Sequence, residues 1–273
     1  MAPMYRLVKL YHEKSRLLAF FILAVLCFNS TRALSQTTSY HQFTPEFQLN
    51  RAFSGKWAAE FDLNNTFSNT PTEDKVFKTI IQGSSVLWAH YFFSPRWKFS
   101  SGLGYYYNHN QPDLGQYEAN EFRFSLVGTY FIHKIGYTLS TKMRADLRYL
   151  QNEEGVYEDI YRYRQMLKYI KPFNSQVLRQ GVFYGVASEE LFFKSTRKDS
   201  GFRHFDRNMF AIGGGYMISN DLQVELTYTH EFVPRDNGNI LNNLITVTLT
   251  TNNLFTNIGH QVVNLLSPAA DPE

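Results

Sequence analysis

The sequence predicts an all-β protein: an antiparallel, up-and-down transmembrane β-barrel that follows a cleaved signal peptide. Three observations predict it. The only long apolar run is near the N-terminus and is too short to span a membrane as a helix. Downstream, long stretches alternate polar and apolar residues with period two, as strands with two different faces do. Aromatic residues gather near the ends of those stretches, where a barrel would carry its interfacial girdles.

The N-terminal segment carries Arg6, Lys9, Lys14 and Arg16 against the single acid Glu13, followed by the apolar run 17–28 (LLAFFILAVLCF). That run covers only about 18 Å at 1.5 Å per residue, against a hydrocarbon core of roughly 30 Å. A basic region, a short apolar region and the small residues Ala33 and Ser35 make a secretory signal peptide over 1–35, cleaved before Gln36. Leu26, preceding Cys27, is too large for a lipoprotein signal. The full chain has a net charge of +3, from 27 Lys and Arg against 24 Asp and Glu. Removing 1–35 takes away five of those bases and one acid and leaves a mature net charge of −1. It also removes the only cysteine, so disulfides, a thiolate nucleophile and Cys-ligated zinc are excluded from the mature chain 36–273.

The mature chain reads as one barrel domain. In 57–67, Trp57, Ala59, Phe61, Leu63 and Phe67 alternate with Lys56, Glu60, Asp62 and Asn64. In 136–149, Tyr137, Leu139, Met143, Ala145, Leu147 and Tyr149 oppose Thr138, Ser140, Lys142, Arg144, Asp146 and Arg148. In 222–232, Leu222, Val224, Leu226, Tyr228 and Phe232 oppose Gln223, Glu225, Thr227, Thr229 and Glu231. Similar segments begin near Tyr40, Thr79, Arg96, Glu118, Tyr161, Val177, Arg203 and Ile240. The stretch 160–170 fits a helix or a strand, and its neighbours favour strand. With 254–266 as a last segment, twelve strands are expected, ten being the alternative; a tail from about 256 outside the barrel is the competing account of the C-terminus.

Polar patches at 68–71, 110–113, 151–155, 198–201 and 235–238 alternate with tight turns at 94–95 and 219–221, as in a barrel whose two ends face different compartments. The ladders are longer than the five to six residues typical of sandwich strands. Glycine beside aromatic (102–105, 213–216) suits the sharp coiling of a closed barrel.

Several pieces resemble the bacterial outer-membrane barrel family known as domain of unknown function 2490. They are Glu121-Phe122-Arg123, Arg144-Ala145-Asp146-Leu147-Arg148-Tyr149, and Arg162-Tyr163-Arg164 with Leu167. They continue with Ser188-Glu189-Glu190-Leu191-Phe192-Phe193 and Phe205-Asp206-Arg207-Asn208, and run through Gly213-Gly214-Gly215-Tyr216 to Glu225-Leu226-Thr227-Tyr228. Where the family pattern has Arg after the Asn, this chain has Met209, with Arg207 on the same face. The resemblance covers essentially the whole mature chain and implies an outer-membrane barrel; it implies no reaction.

The candidate site is a ladder of charges on inward faces: Glu121, Arg123, Lys142, Arg144, Asp146, Arg148, Arg162, Arg164, Lys168, Glu189 or Glu190, Arg207, Glu225 and Glu231. Neighbouring strands are about 4.8 Å apart, so opposite charges can pair across them. The ladder is either a salt-bridged plug that rigidifies a narrow barrel or the wall of a pore. In the second case Arg144, Arg148, Arg162, Arg164 and Lys168 would attract small anionic solutes.

A third class is an outer-membrane lipid-modifying hydrolase, which needs a Ser–His pair on the lipid-facing surface. His230 is its best candidate, but the adjacent Glu231 points to the opposite face, and no G-x-S-x-G or H-E-x-x-H is present. No catalytic residue, metal ligand or cofactor is expected. The expected partners are outer-membrane lipid and the barrel-assembly machinery, for a monomer in the bacterial outer membrane. The mature charge argues against nucleic acid.

Overall fold

The structure, a computed structural model, describes residues 37–69, 75–110, 118–195, 204–235 and 238–253. Within them the chain is a closed barrel of eleven strands. These are β1 (Thr37–Ala52), β2 (Trp57–Ser68), β3 (Thr79–Phe92), β4 (Trp97–His109), β5 (Glu118–His133) and β6 (Thr138–Gln151). They continue as β7 (Tyr157–Pro172), β8 (Phe183–Lys194), β9 (Phe205–Met217), β10 (Leu222–Val233) and β11 (Asn239–Asn252). A 3-10 turn, Val76–Lys78, precedes β3, and no helix among the described residues is long and apolar enough to cross a membrane.

Each strand pairs antiparallel with the next, and the barrel closes through a parallel pair, β1 with β11, from Thr37 opposite Asn239 to Asn50 opposite Asn252. Eleven strands and one parallel pair correct the expected twelve antiparallel strands. The reason is geometric: when strands alternate in direction, an odd number leaves the first and last pointing the same way. The segment 254–266, expected as the twelfth strand, lies outside the described residues, as do the signal peptide 1–35 and the tail from about 256.

The strands run from 12 to 16 residues, well beyond sandwich length. β7 is strand throughout, which resolves the ambiguous 160–170 stretch. The 173–182 stretch is irregular, so β8 begins at Phe183 and not near Val177. One end of the barrel carries the connections 53–56, 93–96, 134–137, 173–182 and 218–221; at the other, 152–156 is the connection that is described throughout. The first set is mostly tight turns.

Period-two alternation places one face of every strand outward. Leu87, Leu103, Leu126, Met143, Tyr163, Ile212 and Leu226 are all more than half exposed on that face. Glycine is required where inward aromatics lie flat on the wall. A Cβ on Gly102 would stand 2.5 Å from the Trp88 ring, and one on Gly215 would stand 2.2 Å from the Tyr184 ring. The parallel seam is reinforced by Asn253, whose N–H donates to the Asn50 carbonyl at 2.8 Å and whose Oδ1 accepts from the Ala52 N–H at 3.1 Å.

Candidate functional site: the barrel lumen

The inward faces of β5 to β9 form a continuous network of arginines, carboxylates and aromatic rings. Glu121, fully buried, accepts from Arg148 Nε and Nη2, both at 2.7 Å, and pairs with Arg123 at 2.6 Å. The pairing is dictated by register: Arg123 stands opposite Arg148, and Glu121 lies two residues from Arg123 on the same face.

Asp146, also buried, is the second hub. Arg144 pairs with it at 2.5 Å, Arg162 at 3.3 Å and Arg164 at 3.9 Å, while the Ser125 hydroxyl donates to it at 2.6 Å. Arg164 also makes a two-pronged contact with Glu190, at 2.9 and 2.8 Å. Three arginines around one carboxylate leave positive charge over, and aromatic faces share it. Arg144 lies over the Trp88 ring at 4.9 Å and Arg123 over Tyr106 at 3.8 Å; Arg164 and Arg162 lie over Phe192 at 4.4 and 5.4 Å.

A third hub forms where the strand alternation slips. The register between β8 and β9 shifts at Phe192/Phe193, and the bulge turns the consecutive residues Asp206 and Arg207 to the same side. Asp206 then meets Arg207 at 3.0 Å, Lys194 at 3.7 Å and Arg235 at 3.8 Å, and Arg207 reaches Glu231 at 2.9 Å. Glu231 in turn accepts from the Asn242 amide at 2.6 Å.

Most of the expected ladder therefore converges: Glu121, Arg123, Arg144, Asp146, Arg148, Arg162, Arg164, Arg207 and Glu231 share this network. Glu189 does not, which is a correction. β8 alternates with Tyr184, Glu190 and Phe192 inward, so Glu189 points outward beside the exposed Phe193 and accepts a hydrogen bond from Asn208. Lys142, Lys168 and Glu225 face the lumen, but among the described residues no ion pair joins them to the network. Thr129 stands opposite both Lys98 and Lys142, so these two lysines flank one threonine.

The sequence reading left Glu189 and Glu190 undecided and missed Asp206, Lys194, Arg235 and the inward rings Trp88, Tyr106, Tyr184 and Phe192. The inward position of Trp88 was visible in its alternation with Ser84, Val86 and His90, but an apolar residue reads as outward-facing in a barrel. Asp206 carried no signal, because the bulge that turns it inward is set by pairing with β8.

The other arc of the lumen, on β10, β11 and β1 beyond Glu231, is built from hydroxyls, amides and the two acids Glu225 and Glu46. Glu225 stands opposite Thr248, and Thr248 opposite Glu46; the next row is Gln223, Thr250 and Gln48. Thr248 donates to Glu46 at 3.0 Å, Thr250 to Gln48 at 3.0 Å, and the Gln48 amide to Glu46 at 3.1 Å. Tyr184 donates to Glu225 at 3.0 Å. A cavity of about 260 Å³ opens against this wall, with Lys168, Val186, Ser188 and Ala211 on its far side.

On the outer face, His230 lies in a polar cluster near one rim. Its Nδ1 is 3.2 Å from Asn243 Oδ1, which also accepts from Tyr228 at 2.7 Å, and the Asn243 amide donates to Ser39 at 3.1 Å. The amide thus stands between the imidazole and the hydroxyl. A general base must bond to the hydroxyl that it activates.

Fold and lumen together define the class: a closed β-barrel whose apolar side chains face out and whose charged side chains pair within. The family model described as Protein of unknown function (DUF2490) matches residues 42–242, and the chain belongs to that family. No curated protein and no solved structure matches it.

Proposed function

We propose that the protein is an exported, non-catalytic β-barrel of the bacterial outer membrane, with a lumen obstructed by its own ion-pair network. The observation that carries this reading is the polarity of the two faces. Outward residues along whole strands are apolar and exposed, whereas Glu121 and Asp146 are buried inside at 0% and 2% exposure. A soluble barrel buries its apolar residues; this arrangement suits a lipid exterior. Aromatic pairs on the outer face near strand ends, such as Trp57 with Tyr91 and Trp97 with Tyr130, fit an interfacial girdle. The Asn243 spacer supports the non-catalytic reading over a lipid hydrolase. The pairing of the arginines favours an obstructed lumen over a pore with a free basic wall.

Two measurements test the proposal. Membrane fractionation with heat-modifiable gel migration should find a folded barrel in the outer membrane; recovery as a soluble periplasmic protein would overturn it. In planar bilayers the wild-type protein should show no stepwise conductance, whereas Asp146→Ala combined with Arg144→Ala should introduce steps. Large regular steps from the wild type would show an open pore instead.

A further inference from the structure

We infer that the cavity at the β1–β11 seam is a binding site for a small zwitterion, of the α-amino-acid class. The inference rests on the barrel reading above and adds an occupant to its lumen. In the arc β5 to β9 the acids Glu121, Asp146, Glu190 and Asp206 are each paired with a cation. In the cavity the charges are not paired. Among the described residues Glu46 and Glu225 have only neutral donors, namely Thr248 and Gln48 for the first and Tyr184 for the second. Lys168 faces them across the cavity and has no hydrogen-bond or ion-pair partner among the described residues.

The placement is set by the sheet. Thr248 separates Glu225 from Glu46 on three adjacent strands, so the two carboxylates are roughly 10 Å apart along one wall at about 4.8 Å per strand. Both are held by hydrogen bonds, as a recognition group must be if it is to bind without paying ordering entropy. Apart from Val186 and Ala211, the rest of the lining, including Ser188, Thr246 and Gln223, is hydroxyl and amide. A volume of about 260 Å³ is below the roughly 300 Å³ at which drug-sized pockets begin, which limits the occupant to a small solute.

Charge selects among small solutes. An anion alone would face two carboxylates, and a cation alone would face Lys168. A neutral sugar would leave all three charges without partners. An ammonium at the acidic wall and a carboxylate at Lys168 satisfy both sides at once, with hydroxyls left to bond the remaining N–H and C–O groups.

The experiment is an NMR titration of the isotopically labelled full barrel, refolded in detergent micelles, with L-alanine as probe. Acetate, ethylammonium and D-glucose serve as the single-function arms. L-alanine should give saturable amide shifts in 223–227 and 246–250, and each single-function probe should bind at least tenfold more weakly. Lys168→Met and Glu225→Gln should each weaken L-alanine tenfold or more, Lys168→Arg should restore part of the loss, and the outward Glu189→Gln should leave binding unchanged. Absence of saturable shifts, equal binding of any single-function probe, or unchanged binding in both Lys168→Met and Glu225→Gln would overturn the zwitterion site. Heat-modifiable migration measured on the same samples separates the two readings. A silent titration with migration intact removes only the ligand, whereas wild-type protein without heat-modifiable migration removes the barrel reading beneath it.

Discussion

The two arcs of the lumen solve the same problem in opposite ways. Strands β5 to β9 fill the interior with long charged side chains whose partners are built in: Glu121, Asp146, Glu190 and Asp206 each hold one or more cations. Beyond Glu231, strands β10, β11 and β1 line it with hydroxyls and amides and leave Glu225 and Glu46 facing the cavity. The difference teaches that residues chosen to pair occlude a barrel, while residues chosen to be short leave room in it. Buried ion pairs contribute little net stability relative to apolar packing, yet breaking one is costly because the surviving charge is stranded. The first arc is therefore fragile to single changes and the second tolerant.

The largest effect should come from the hub Asp146. Asp146→Ala strands Arg144 and Arg162 and should destabilise the barrel by about 3–5 kcal/mol, read from the urea midpoint of the refolded protein. Equal midpoints for variant and wild type would remove the contrast between the arcs.

Next come the glycines beneath inward rings. Gly102→Val forces Trp88 off the wall, and Gly215→Val forces Tyr184; each should cost about 1–3 kcal/mol by overpacking. Gly55, at a turn with open space around its missing Cβ, is the control and should accept alanine with little change.

The adjacent acids of β8 give a sharper comparison. Glu190→Gln removes the two-pronged partner of Arg164 and should cost about 1–3 kcal/mol, whereas Glu189→Gln, on the outer face, should change stability by less than about 0.5 kcal/mol. A larger loss at Glu189 would show that the two faces of β8 are misassigned.

The smallest effect should be on the hydroxyl wall. Thr250→Val removes one hydrogen bond to Gln48 and should cost about 1 kcal/mol or less, in the same urea assay.

Strand existence and facing were legible wherever alternation was clean. Arg123, Arg144, Asp146, Arg148 and Arg162 were placed inward from period two alone and are inward in the structure. Legibility ended where parity is broken or undecided. Glu189 and Glu190 are neighbours of the same type, so only the register of β8 against β7, with Glu190 opposite Met166, decides between them. Asp206 and Arg207 violate period two because the bulge at Phe192/Phe193 adds a residue. The expected number of strands failed for a related reason: local pattern counts segments but cannot say which two close the ring.

What the sequence determined by itself is the all-β class, the two faces of most strands and the placing of opposite charges on the same inner surface. These are local consequences of side-chain alternation, which needs no knowledge of the partner strand. Only the tertiary structure decided that eleven strands close through a parallel seam, that arginines crowd one arc while hydroxyls line the other, and that a cavity remains between Lys168 and the acids of that seam. Those features depend on register and closure, and both are set by how residues far apart in the chain meet across the barrel.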